Sequence, residues 1–171
     1  MEFYDVLEKR HSVRDFDKKD VEQKKVQNIL DAVQRCPSAG NLQAYKVYVV
    51  RSKEAKEGIV AAALYQEFIA QAPVLLVFCA DKAQSAAKYG ERGSDLYAIQ
   101  DATIAAAYSQ LAATAEGLSC VWVGAFDPLE VSRLIKAGPH EVPIALIPIG
   151  YPKGKAWETG RRPLKEIITE V

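Results

Sequence analysis

Residues 74–80 read Val-Leu-Leu-Val-Phe-Cys-Ala with no polar interruption, and Pro73 stands immediately before them. A strand with one solvated face alternates polar and apolar residues, so a continuous apolar run of this length is a strand covered on both faces. The chain must therefore supply apolar helices for two sides of a sheet. The run is far too short to cross a bilayer, which takes ~20 residues.

The rest of the chain offers the covering elements. Val26, Ile29, Leu30 and Val33 repeat at helical spacing between a capping-box-like Asp20/Gln23 start and Pro37, which predicts a helix over 21–36. Residues 45–50 are rich in β-branched and aromatic side chains and read as a strand, followed by a helix over about 53–71 that carries Ile59, Val60, Leu64 and Phe68. A long alanine-rich helix over 94–116 ends at Gly117; its small side chains predict close packing, including against the matching helix of a second subunit.

Residues 118–126 read as another apolar strand. Asp127-Pro128-Leu129-Glu130 then starts a helix with a capping box and proline at its first position, and 143–149 is a further strand. The closing PLKEIITEV is too apolar to be free and too short to fold alone, so it is expected to dock on something. Strands alternating with helices, without repeat or linker, predict one α+β or α/β domain over residues 1–171 around a mixed sheet flanked by helices.

Charge narrows the partners. Lys plus Arg and Asp plus Glu each number 22, so no net field draws the chain to nucleic acid or to an anionic membrane, and a small molecule is the expected partner. Cys36, Cys79 and Cys120 lie far apart, without metal-ligand or dithiol spacing, and read as small core residues. The first residues alternate charge with hydrophobe where a signal peptide needs a continuous apolar core, so a cytoplasmic location is expected.

Nucleotide-loop, zinc-protease and serine-hydrolase signatures are missing from the sequence, and GYPKGKAW lacks the hydroxyl residue a phosphate loop needs. His140 sits in a Gly-Pro-His-Glu turn and reads as a solvated loop residue. Three segments remain. Arg10-His11-Ser12-Val13-Arg14 follows a short predicted helix; if it is extended, residues 10, 12 and 14 form a fork for a phosphate, although a surface turn balanced by Glu8, Asp15 and Asp17 would look the same. Pro37-Ser38-Ala39-Gly40-Asn41-Leu42-Gln43 is either an ordinary loop or one whose backbone approaches a flat ligand while Ser38, Asn41 and Gln43 bond to it. Arg161-Arg162 either adds charge to an anion site or keeps the tail soluble.

In this order RHSVRDF, PSAGNLQ, GLSCVWVGAFDP, PIALIPIGYP and RRPL resemble the nitroreductase family over nearly the whole chain, and the Tyr89-Gly90-Glu91-Arg92-Gly93 stretch with Leu96, Tyr97 and Asp101 resembles its shorter bacterial or archaeal type. The resemblance implies an α+β nitroreductase-like fold and an intertwined homodimer with two FMN molecules at the interface. It implies hydride transfer from NADH or NADPH through the flavin to a nitroaromatic or quinone-like acceptor in a ping-pong cycle. The alternatives are a flavin-binding member with another reaction, such as dehalogenation or ring oxidation, and a non-enzymatic FMN-binding redox sensor.

By the same resemblance Arg10, His11 and Ser12 belong to the FMN site at its phosphate and ribityl chain, and Arg14 approaches the pyrimidine edge. Pro37, Ser38, Ala39, Asn41 and Gln43 come from the partner subunit to wall the ring. The backbone of Gly124 or Ala125 donates to N5, and Arg161, with Arg162 as second choice, reaches the phosphate. No side chain is expected to act as nucleophile or proton acid.

Overall fold

The computed structural model describes residues 1–154, 156 and 159–171, and it puts the 74–80 run in the middle of the sheet. Four strands, β1 (Tyr45–Val50), β2 (Val74–Asp81), β3 (Ser119–Cys120) and β4 (Glu141–Gly150), lie in the order β1-β2-β4-β3. β2 pairs antiparallel with both neighbours, Tyr48 facing Val77 on one side and Leu146 facing it on the other, with a bulge between Phe78 and Cys79. The named strands pair only antiparallel; the parallel contribution is an isolated bridge between Ser12 and Cys120. Strand direction follows from connections, which an apolar run does not encode.

Both faces of β2 are covered. Val74, Leu76 and Phe78 pack with Ile147 and Ile149 against α2 (Gln23–Gln34) and α6 (Ala98–Ala115). Leu75, Val77 and Cys79 pack with Leu146 on the other side against α3 (Lys53–Ala62), α4 (Phe68–Gln71) and α7 (Pro128–Ile135). α6 buries mainly alanines, among them Ala102, Ala105, Ala106 and Ala113. Small side chains allow the axis to come close to the sheet.

Four expectations change. The single helix over 53–71 is two, because Leu64 and Tyr65 take left-handed backbone at φ 55° and 57°. The break turns α4 back so that Ile69 is buried, and the buried Lys56 donates to the carbonyls of Ala70 and Ala72 at 3.2 and 2.5 Å. α6 starts at Ala98; a wide π-helical turn, Gly93–Tyr97, and an unanticipated α5 (Lys82–Arg92) precede it.

Only Ser119–Cys120 of the 118–126 run pairs as strand, with Val123 rejoining β4 through one bridge to Leu146. The run is apolar because Val121 and Val123 are buried, not because it is fully paired. Glu22, not Asp20, stands at the N-terminus of α2, without a side-chain cap.

Other expectations hold. The three cysteines are buried and free, and burial pushes the Cys79 and Cys120 thiols up to about 12. Among the described residues no helix is long and apolar enough to cross a membrane. The tail, expected to dock, does not do so on its own chain: it makes a short turn, Leu164–Glu166, and leaves Leu164, Ile167 and Ile168 exposed.

Asp127 caps α7 as its sequence requires, accepting from the N–H groups of Leu129 and Glu130 at 2.9 and 3.2 Å with Pro128 in the first turn. Asp127→Ala leaves both donors to water and should lower the urea unfolding free energy by about 1 kcal/mol.

Candidate functional site

α1 (Phe3–Lys9) ends at Arg10, whose backbone is already extended at φ −71°, ψ 106°. Val13 then donates its N–H to the Cys120 carbonyl at 3.1 Å and buries its side chain, as does Phe16. Because side chains alternate along extended chain, Ser12 and Arg14 point away from the side where Val13 is buried. Arg10, His11, Ser12 and Arg14 line one pocket of about 330 Å³ together with Thr159. Among the described residues no carboxylate lies within 4 Å of Arg10 or Arg14. Glu8, Asp15 and Asp17 do not neutralise the fork by ion pairing.

The two C-terminal arginines part ways. Arg161 donates from Nη1 to the carbonyl and hydroxyl of Thr159 at 3.5 and 3.3 Å, and so stands beside the pocket that Thr159 lines. Arg162 turns to its own tail, donating to the Glu166 carboxylate and carbonyl at 3.4 and 3.0 Å. Lys155 and Trp157 of the GYPKGKAW stretch lie outside the described residues.

The 37–43 loop is held in an unusual backbone. Gly40, Asn41 and Gln43 have φ of 56°, 56° and 50°, a left-handed sequence that costs energy at the two non-glycine positions. Two of its bonds are internal: the Ser38 hydroxyl accepts from the Gln43 N–H at 3.0 Å, and the Gln43 amide donates to Asn41 Oδ1 at 3.3 Å. Glycine suits position 40 by its φ, and a Cβ there would have to displace the Tyr89 hydroxyl and Lys88 Nζ, which lies 2.8 Å from its place.

Asp101 on α6 anchors the loop at both ends. It is 2% exposed, and its two carboxylate oxygens accept from the N–H groups of Ala39 and Ala44 at 2.9 and 3.3 Å. No cation accompanies it among the described residues. In the sequence Asp101 stands out only through the family resemblance, because a carboxylate on an alanine-rich helix carries no local sign that it faces inward. Pro37, Ser38 and Ala39 line a pocket of about 560 Å³ with Tyr97, Ile99 and Ile104.

Gly124 and Ala125 are exposed, and among the described residues neither N–H has an acceptor. Gln66 holds this turn by donating to the Ala125 carbonyl at 3.2 Å. Within one chain, the arginine pocket and the 37–39 pocket share no residue. Thr159 and Gln66 had no sequence signal, since a lone hydroxyl or amide in a polar stretch looks like any other.

The nitroreductase family model matches residues 7–65 and 54–151. This chain belongs to the nitroreductase family. Relatives include a Bacillus subtilis protein named FMN reductase, NAD(P)H, 32% identical over 94% of this chain and 70% of its own. A Thermus thermophilus protein named NADH dehydrogenase is 30% identical over 94% of this chain and 91% of its own. The crystal structure of a nitroreductase family protein from Streptococcus pneumoniae superposes with a TM-score of 0.90 at 25% identity, over 99% of this chain and all of that one. The α+β architecture is thus the nitroreductase fold.

Asp101→Asn replaces a two-oxygen acceptor with one oxygen and an NH₂ that faces a donor. The variant should lose about 1–3 kcal/mol of stability in urea titration. Hydrogen exchange at the amides of Ala39 and Ala44 should accelerate beyond the change that global unfolding accounts for.

Proposed function

We propose that this nitroreductase family member is an FMN-dependent oxidoreductase that takes reducing equivalents from NADH or NADPH and delivers them to a small organic acceptor of nitroaromatic or quinone type. One observation carries the reading: Arg10, Ser12 and Arg14 line a single pocket with no carboxylate within ion-pairing distance of either arginine among the described residues. Unpaired guanidiniums beside a hydroxyl suit a phosphate monoester. The names of the Bacillus and Thermus relatives, an FMN reductase and an NADH dehydrogenase, point the same way.

FMN, when bound, supplies the hydride-transfer chemistry. In this assignment Arg10, His11, Ser12 and Arg161 hold the phosphate end, Arg161 being preferred over Arg162 because it already leans on Thr159. Arg14 would stand at the pyrimidine edge and favour the added negative charge of the reduced ring. The free N–H of Gly124 or Ala125 would donate to N5. Because the arginine pocket and the 37–39 pocket are separate within one chain, Pro37, Ser38, Ala39, Asn41 and Gln43 would wall the ring from a second subunit. The exposed tail residues Leu164, Ile167 and Ile168 would find their cover in the same homodimer.

The purified protein should be yellow with one FMN per subunit, read from its absorbance and from the released nucleotide; FAD, or no uptake on reconstitution, would overturn the assignment. Dilution that separates the subunits should release the cofactor, since both pockets are needed around one ligand. A monomer that retains FMN at micromolar concentration would refute the shared site.

Arg14→Ala should lower the midpoint potential of the bound flavin. A hydrogen bond to a charged group contributes about 1.5–3 kcal/mol, which on the scale of about 30 mV per 1.4 kcal/mol for a two-electron couple is a drop of a few tens of millivolts. Spectroelectrochemical titration reads it, and an unchanged potential with FMN bound would put Arg14 elsewhere.

A further inference from the structure

The cofactor assignment leaves the Tyr89-Gly90-Glu91-Arg92-Gly93 stretch without a role, yet the structure gathers two of its side chains, Tyr89 and Arg92, with those of Lys88 and Tyr97 into one cluster. Gly90 permits this. At φ 57°, ψ −142° it occupies backbone close to a region only glycine enters freely, and there the end of α5 turns into the Gly93–Tyr97 turn. Tyr89 and Tyr97 meet edge to face, with centroids 5.2 Å apart and planes at 85°. Arg92 lies over the Tyr97 ring at 5.4 Å and donates from Nε to its hydroxyl at 2.9 Å. Lys88 Nζ sits 5.2 Å from the centroid of Tyr89.

This cluster adjoins the loop that is proposed to wall the flavin. Tyr97 lines the same pocket of about 560 Å³ as Pro37, Ser38 and Ala39, and Tyr89 and Lys88 close over Gly40. Among the described residues neither Lys88 nor Arg92 has a carboxylate within 4 Å; Asp95, in the same segment, is paired with Lys82 at 3.7 Å. Arg92 is thus held by a ring and a hydroxyl through one nitrogen, which leaves the outer edge of its guanidinium open. A preordered fork of this kind selects a carboxylate or phosphate, and the tyrosines offer flat apolar area beside it. Among the described residues, two cations without a carboxylate partner thus stand next to this pocket, Lys88 beside Gly40 of the loop and Arg92 on Tyr97 of the lining, where they favour an anion.

We propose that Lys88, Tyr89, Arg92 and Tyr97 form a recognition site for the anionic group of an aromatic redox partner, either the carboxylate of an acceptor or the 2′-phosphate of NADPH. The inference rests on the FMN reading above. FMN uptake by the wild-type protein, measured first at 450 nm, separates the two: without uptake both fall, whereas with uptake only the experiments below decide the cluster.

Two selectivity ratios are compared in wild type, Arg92→Lys and the Lys88→Ala/Arg92→Ala double variant. One is flavin reduction by NADPH against NADH in stopped flow, with titration calorimetry of NADP⁺ against NAD⁺ as a readout without turnover. The other is kcat/KM for 4-nitrobenzoate against nitrobenzene. In the double variant one ratio should fall by at least about fivefold, the scale of losing charge-assisted contacts at an accessible site, with Arg92→Lys between the two. A fall in the dinucleotide ratio assigns the phosphate and a fall in the nitroarene ratio the carboxylate. If both ratios stay within about twofold of wild type, the cluster does not read the partner's charge.

Discussion

From Val74 through Ala80, β2 has no position at which a polar side chain could meet water: each of these residues is 1% exposed or less. Even-numbered residues face α2 and α6, and odd-numbered ones face α3, α4 and α7. Two helical layers must be built for one strand, and a register slip of one residue would exchange the sets that each layer is shaped to receive. The alanines of α6 answer the even face, where two helices compete for the space over Leu76 and Phe78. The break at Leu64 and Tyr65 answers the odd face, since only by turning back does the chain deliver Ile69 and then enter β2 through Pro73.

The same helix that covers the sheet shapes the 37–43 loop. Asp101 is a buried carboxylate, costly to desolvate, and its compensation is two backbone N–H donors on either side of a loop containing three left-handed residues. Strain in the loop and burial of the charge are mutually supporting: neither arrangement would persist without the other. A loop fixed in this way can present its small residues to a ligand without first paying ordering entropy.

The sequence was most legible where one local rule decided the outcome. The 74–80 run, the Tyr45–Val50 strand, the Asp127 cap and the alternation after Arg10 each follow from burial or backbone chemistry within a few residues. It misled where two causes leave the same pattern. Leu64 extends a helical apolar stripe and yet is 72% exposed beyond the break, and the run through Val121 and Val123 reads as continuous strand although burial maintains its apolar pattern where pairing is reduced to one bridge. What could not be read was distance in space: that Thr159 would lie beside Arg10, that Gln66 would reach Ala125, and that Asp101 would span the loop. The residues of the arginine fork were legible as candidates by type, but their gathering into one pocket depends on the bridge between Ser12 and Cys120.

The three thiols described with the core have a bearing on durability. Cys36 is 4% exposed beside the Tyr45 hydroxyl, Cys79 and Cys120 are 1% or less, and burial raises all three thiols above their ordinary range. Oxidation proceeds through an accessible thiolate, and none of these sulfurs supplies one. No disulfide links them either, so reductants do not loosen the fold and oxidants find no cysteine at its surface. The cysteines of the core are thereby shielded from the redox state of the surroundings.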